Sequence, residues 1–419
     1  MERVRREIQT ILFKRLFITI GILLILRLGT LFPVPGINQV ALSSYIQTQP
    51  FTRNIISMFS SKNTFVIGLF TLNIFPYINA SILIQLILAF SPKLSKLQKE
   101  GDLSGRRYIN RLTKIFTLIW AIIQSVSLTV YLKQILYDWN YKLAFEIVMW
   151  LITGAMIVLW LSELITEYGL GNGSSLLIYI NIISSLPNLI RTFFLENSQN
   201  YTILSLFQTF GLIIISLYGI VFLQQGVRIV PLISSKQLNQ GTNQNLETSN
   251  NYLPLRFNQA GVMPIILTTA VLVVPNYVNN LGLFPKILLP IPIELSKILY
   301  WCSYFLLSLV FSSFYSTIVL NPKDISDQLQ RMAVAIPGVR PGIQTTFYLK
   351  QVMKRVTIIG SIMLATLTTV PNFLESTLNI TNLNGLSISS LFILAGVILD
   401  LAREINNIYY SNIYNNIYQ

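Results

Sequence analysis

Long apolar runs separated by short polar connections fill most of this chain. Ten of them approach or reach the roughly 20 residues with which a helix crosses a bilayer. They are 16–32, 75–91, 114–132, 143–162, 172–188, 203–223, 259–277, 298–319, 353–371 and 386–401. The connections carry the Pro, Gly, Asn and charged clusters that interrupt helices. The two longest, 224–258 and 320–352, are too short and too polar to form domains of ordinary size. The pattern predicts an all-α, polytopic membrane protein: ten transmembrane helices in two five-helix halves, 1–188 and 189–419. Such halves permit an inverted-repeat architecture, although no internal repeat is visible in the residues.

Segment 54–71, NIISMFSSKNTFVIGLFT, does not fit the simple pattern. It is apolar but interrupted by Ser60, Ser61, Lys62 and Asn63. Positive charge decides its topology, because Lys and Arg accumulate on the cytoplasmic side of a membrane. If the segment does not span, the side of the N-terminus holds five cations in the arm, seven in 92–114, three in 224–258, six in 320–355 and one in the tail. That is 22 against 7 on the other side, with Arg27 inside the first span. If the segment spans, the ratio falls to 18 against 10 and the basic arm lands on the poorer side. The bias predicts a half-inserted segment, and partial elements at membrane depth occur only within protein or along a cavity.

Polar residues in three further places point to the same cavity. Asn172, Ser174, Ser175, Asn181 and Ser184 lie in or beside the fifth span. Asn73 and Asn79 flank Pro76 at the second, and Asn258 and Gln259 open the seventh. Lipid tails satisfy none of these groups. Each alone fits helix packing through small residues and amides; together they predict a shared polar interior.

Composition narrows the chemistry. Residues are 53% hydrophobic and 11% charged, with a net charge of +14, against about 25% charged in soluble domains. There is no His and one Cys, Cys302. An internal disulfide is impossible, and His-ligated metals and the usual general base are excluded. No GxSxG or HExxH pattern occurs, and GLGNGSS lacks the Lys of a phosphate-binding loop. The expectation is a protein that is not an enzyme and holds no cofactor, so any energy comes from a partner. The start, MERVRREIQTILFKRLF, is a basic arm leading into a retained first span rather than a cleaved signal.

Six strings, in order, carry a family resemblance: FPVPGI at 32–37, NIFPYINASILIQL at 73–86, EGDLSGRRYINRLTK at 100–114, ELITEYGLGNGSSLLIYINIISSLP at 163–187, LPLRFNQAGVMPII at 253–266 and IPGVRPGIQT at 336–345. They resemble the SecY family, the channel subunits of Sec protein translocases, over nearly the whole chain. WLSELITE, NIISSLP and LRFNQAGVMPII are closest in wording to cyanobacterial and plastid members. The resemblance implies an hourglass channel that moves unfolded preproteins across a membrane and releases hydrophobic segments sideways into lipid. It implies a plastid thylakoid membrane, or alternatively a bacterial plasma membrane, with both termini on the stromal or cytoplasmic side. The partners it implies are a small SecE-like membrane subunit and the SecA motor ATPase, with the ribosome and a SecG-like subunit as further candidates.

Carried over position by position, the resemblance implies a waist ring of Ile74, Ile78, Ile178, Ile266 and Ile393, whose sixth place falls on Ser174. It implies a plug helix at 54–71 with Ile55, Met58, Phe59 and Phe65, which agrees with the charge count. A lateral gate would open between the second and third helices on one side and the seventh and eighth on the other. Asn258 and Gln259 would stand there, although a capping role at a helix start suits them equally. Arg340, between Gly338 and the Pro341–Gly342 pair, is the implied contact for motor or ribosome, together with Arg256. Loop 224–258 holds only Arg228, Lys236 and Arg256, fewer cations than many bacterial members, so weaker RNA contact is expected there. The competing class is a secondary transporter for a small solute. Such proteins place ionisable groups inside their spans for coupling, whereas these spans hold Arg27 and little else.

Overall fold

The computed structural model of the chain describes residues 2–37, 67–91, 103–134, 140–191, 203–234, 252–259, 261–280, 293–319, 321–377 and 388–417. Its helices are α1 (Glu2–Leu31), α2 (Phe75–Phe90), α3 (Leu103–Tyr131), α4 (Tyr141–Tyr168), α5 (Gly173–Arg191), α6 (Ile203–Gln225), α7 (Met263–Asn280), α8 (Ile293–Val319), α9 (Pro322–Arg331), α10 (Ile343–Thr377) and α11 (Ile388–Ile417). Each of the ten predicted spans falls on one of these; α9 is the additional helix. Among the described residues, α3, α4, α8 and α10 contain stretches long and apolar enough to cross a membrane. Exposed apolar side chains recur at helical spacing, as with Phe13, Phe17, Ile20, Leu24 and Leu28 on α1. A continuous apolar stripe of that kind suits hydrocarbon rather than water.

The chain divides into two compact units, Met1–Asn197 with Val397–Gln419, and Ser198–Gly396. In the first, α2 packs on α3, α3 on α4, and α4 on both α1 and α5. Polar residues on α3 satisfy themselves within the helix. Thr113, Thr117 and Thr129 donate to the carbonyls of Ile109, Thr113 and Ser125, and Ser125 donates to Ile122. That is what a hydroxyl needs where no water reaches it. The stretch before α2 is not helical, yet it is paired: Val34 N donates to Ile67 O at 3.0 Å and Leu69 N to Phe32 O at 2.9 Å. Gly154 of α4 makes room for it, because a Cβ there would collide with the Leu69 carbonyl oxygen. Val34, Ile67, Leu72, Leu128, Ile147 and Leu151 join in one buried core around this stretch.

In the second unit α8 packs on α7 and α10, α6 on α10, and α9 on α10. Ile220 and Leu223 of α6, Ile265 of α7, Leu364 of α10 and Phe392 of α11 share a core. The connections 224–258 and 320–352, which the sequence marks only as loops, contain regular structure. β1 (Val227–Pro231) pairs antiparallel with β3 (Tyr252–Arg256), and β2 (Ile233–Ser234) pairs with β4 (Val334–Ala335). Val230, Leu232, Leu255, Leu329, Ile336 and Leu349 bury together and tie both ribbons and α9 to the start of α10. The two loops are thus one small folded body with its own apolar centre.

Candidate functional site

Each expected site residue has a definite place, except the plug: Ile55, Met58, Phe59 and Phe65 lie outside the described residues. In the first unit the approach to α2 turns sharply. Asn73 adopts φ +49°, a left-handed conformation that Asn tolerates better than most residues. Its Oδ1 accepts the Ile74 N–H at 2.8 Å, and Thr71 Oγ1 donates to Gly68 O at 2.6 Å. Pro76 then sits in the first turn of α2, where its missing N–H costs nothing. Ile78 N donates to Ile74 O at 3.1 Å, so the two isoleucines stack one turn apart. They are 1% and 2% exposed.

The start of α5 is built from the Gly/Asn string. Gly171 has φ +82°. Gly173 lies so close to the Ser162 carbonyl oxygen that any side chain would collide with it, and its N–H donates to Thr166 Oγ1 at 3.0 Å. Asn172 Oδ1 accepts from the Ser174 N–H at 3.1 Å and from its hydroxyl at 2.8 Å. Asn172 Oδ1 therefore caps the helix, and Ser174, at the sixth place of the implied ring, has its hydroxyl engaged by that same oxygen. One turn later Leu177 is buried and Ile178 half-buried.

The same pairing recurs in the second unit. Ile265 and Phe392 are buried in the core, while the next residues, Ile266 and Ile393, are half-buried. Successive helical residues are turned by about 100°, so each of these isoleucines stands beside its core rather than in it.

At the approach to α7, Asn258 and Gln259 separate in role. Asn258 Nδ2 donates to Gly261 O at 3.1 Å, a bond local to the turn. Gln259 Oε1 accepts from Ser316 Oγ of α8 at 2.9 Å, and Ser316 Oγ lies 2.7 Å from Thr357 Oγ1 of α10. A hydroxyl has one proton. Ser316 gives its proton to Gln259, so Thr357 donates to Ser316. Both bonds stay within the second unit. Gln259 Nε2 and Asn258 Oδ1 are buried without a hydrogen-bond partner among the described residues. Sequence reasoning missed Ser316 and Thr357, which look like any small polar residues in a span.

Arg340 stands exposed in a braced turn. Val339 N donates to Ile336 O at 3.1 Å, Thr345 Oγ1 to Arg340 O at 2.9 Å, and Ser326 Oγ of α9 to Gly342 O at 3.1 Å. Gly338 and Gly342 take φ +78° and +103°, conformations that side chains resist. Arg256 is exposed at the end of β3, opposite Val227. An exposed ion pair, Lys114 Nζ to Glu163 Oε2 at 2.8 Å, joins α3 to α4. No metal-binding cluster of His, Cys, Asp or Glu occurs among the described residues.

The SecY family profile matches residues 68–402. The chain is 58% identical over 412 residues to the protein translocase subunit SecY of Trieres chinensis, covering 96% of this chain and 97% of that one. It is 38% identical over 410 residues to the subunit of the same name from Synechococcus elongatus, covering 93% and 91%. Among solved structures it is similar to a SecY whose plug domain is described as stabilising the closed channel and maintaining a membrane seal. The TM-score is 0.69 at 16% identity, covering 96% and 94%. It is likewise similar to Sec61 from a canine ribosome–channel complex, with a TM-score of 0.64 at 16% identity over 96% and 94% of the two chains. At those identities the structures establish the fold.

Proposed function

Because this chain belongs to the SecY family, we propose that it works as the protein-conducting channel of a Sec translocase. It passes unfolded preproteins across the membrane and releases hydrophobic segments sideways into lipid. One observation carries the reading: 58% identity to a SecY subunit along 96% of the chain. The small-solute transporter is set aside on the same ground. The direct test is a stalled nascent chain bearing a signal sequence and a photoreactive residue, presented to membranes that hold this protein. Crosslinking to this chain is expected, and a small membrane subunit is expected to co-purify with the product. Failure of any signal-bearing chain to crosslink would sink the reading.

The finer assignments belong to this proposal. We assign the seal to Ile74, Ile78, Ile178, Ile266 and Ile393, since water leaves a narrow apolar neck and ions cannot follow without shedding hydration. The half-buried positions of Ile178, Ile266 and Ile393, each one step off a buried core residue, support it. Segment 54–71 is assigned as the plug, on its charge topology. Gln259 is assigned to the lateral gate, held by Ser316 on the α8 side; Asn258 supports the turn beside it. The halves 1–188 and 189–419 are assigned as the two walls. Plastid thylakoid is the membrane we infer, with a bacterial plasma membrane as the alternative and both termini on the stromal or cytoplasmic side. The channel is assigned no catalytic step; a SecA motor supplies the energy, a SecE-like subunit holds the halves, and the ribosome and a SecG-like subunit are further partners.

Arg340 is assigned to motor or ribosome contact, with Arg256 beside it in role. Arg340→Glu reverses a charge at a braced, exposed tip and touches no core residue. Motor-driven transport into vesicles is expected to fall roughly tenfold, the scale of losing one interface hot spot, at normal abundance. Unchanged post-translational transport would remove Arg340 from the site.

A further inference from the structure

Two tyrosines on α8 hold their hydroxyls where no protein group answers them. Tyr304 and Tyr315 are 4% and 3% exposed, and the OH of each is buried without a hydrogen-bond partner among the described residues. A buried hydroxyl left unmatched is destabilising, and a phenyl ring of the same shape would avoid the penalty. Two such groups on one helix call for a ligand. About three helical turns separate them, so they share a face.

That face looks onto α10. Ser316 Oγ lies 2.7 Å from Thr357 Oγ1. α9, which follows α8, packs on the start of α10, so α8 runs back along the rest of α10 in the opposite direction. Antiparallel steps of four residues from that contact set Ser312 against Ser361, Ser308 against Ala365 and Tyr304 against Thr369. All six are buried. Helical side chains lean toward the preceding turn, which carries the Tyr315 ring back over Ser312 and toward the same seam. Facing rows of small residues let two helices approach closely. Packing accounts for Ser308 and Ala365 in this way, but not for the two tyrosine hydroxyls.

Hydroxyls along the seam have already given their protons away. Ser308 donates to Phe305 O at 2.9 Å, Ser361 to Ile358 O at 3.0 Å and Thr369 to Ala365 O at 2.7 Å. Each keeps its lone pairs and can only accept. A ligand here has to donate to those oxygens, pair with a tyrosine OH, carry no charge and fit between two helices. The seam offers neither the cation an anion needs nor the carboxylates a hard metal ion needs. Water meets every condition. We propose that the α8–α10 seam is a binding site for ordered water, with at least one molecule at each tyrosine bridging its hydroxyl to the seam oxygens. On the channel reading α8 is a gate helix. A water-bridged seam lets it shift against α10 by exchanging solvent partners rather than by breaking direct bonds. This consequence, unlike the site, rests on that reading.

The experiment takes the full chain with its membrane subunits in nanodiscs, idle, through brief X-ray radiolysis followed by mass spectrometry. Hydroxyl radicals form from water and react close to where they form, so a water held against a buried ring marks it. Tyr304 and Tyr315 are expected to take up oxygen, while Phe392, 0% exposed in the same unit, stays unmarked. Tyr304→Phe and Tyr315→Phe keep the ring and lose the hydroxyl. Each is expected to lower the melting temperature by about 2–4 °C, the shift that one lost hydrogen bond produces in a unit of this size. Unmarked tyrosines overturn the site. Equal marking of Phe392 does so too, since solvent would then be entering the whole unit. A rise in melting temperature for both variants is the third overturning result, the sign of hydroxyls that were dry. Nascent-chain crosslinking to the parent protein reports on the channel reading separately.

Discussion

Changing Ile266 to Asn, alone and together with Ile78→Asn, is expected to raise the resting ion conductance of the reconstituted channel by roughly an order of magnitude, because a polar group rewets an apolar neck. Signal selection should loosen at the same time, since a neck that already admits water costs less to open. The two sites differ in risk. Ile78 is 2% exposed, so an amide there has to find a partner or cost about 1–3 kcal/mol. Ile266 is half-buried and better suited to carry a polar group without loss of folding. Ile266→Leu keeps the apolar neck and should stay electrically tight. If Ile266 faces lipid instead, Asn lowers insertion or stability and conductance does not move. Single-channel recording on the three variants separates these cases. A poorly inserted but ion-tight Ile266→Asn protein would sink the ring while leaving the family assignment untouched.

The helices were legible because hydrophobic length is a coarse signal that survives any detail of packing. All ten apolar runs fall on helices, and turn chemistry was readable around several of them. Pro76 in the first turn of α2 and the Gly171–Asn172–Gly173 string before α5 do in the structure what those residue types do in general. The folded body of the two connections was not read, for different reasons in its parts. α9 had a clear signature: Asn321 caps it, Pro322 follows in its first turn, and Ile325 and Leu329 repeat at helical spacing. The polar character of the surrounding loop hid it. β1 and β3 are separated by a long connection, so no tight-turn signal announces their pairing, and each contains a proline, Pro231 or Pro254, which argues against a strand. β2 and β4 are two residues each, below what any periodicity shows. The Gln259–Ser316–Thr357 chain depends on the turn before α7 meeting α8 and α10, which no local pattern encodes.

Gly360→Val is expected to destabilise the second unit by about 2–4 kcal/mol, at or above the usual range for overpacking. Gly360 lies on α10 directly against the backbone of Phe257, and an added Cβ would collide with the Phe257 carbonyl oxygen. A clash with a flexible side chain can relax; this one cannot do so cheaply. Phe257 N is tied to Gly226 O at 3.0 Å. Two residues on, Gln259 is held by Ser316 at 2.9 Å, with Thr357 behind it at 2.7 Å. Thr357 precedes Gly360 by three residues and so faces the same way on α10. The glycine and the hydroxyls thus hold one joint, where β3 passes into α7 against α8 and α10. Ser316→Ala tests its polar part. It leaves Gln259 Oε1 buried without its donor, a loss of about 1–3 kcal/mol. Combining it with Thr357→Val should cost less than the two singles summed, because both remove the same chain of bonds. Thermal aggregation in detergent and limited proteolysis of residues 198–396 measure each variant. The joint fails as an explanation if Gly360→Val melts with the parent protein, or if the Ser316 and Thr357 changes prove strictly additive. If it holds, a force on the folded body reaches α7 through backbone with little slack.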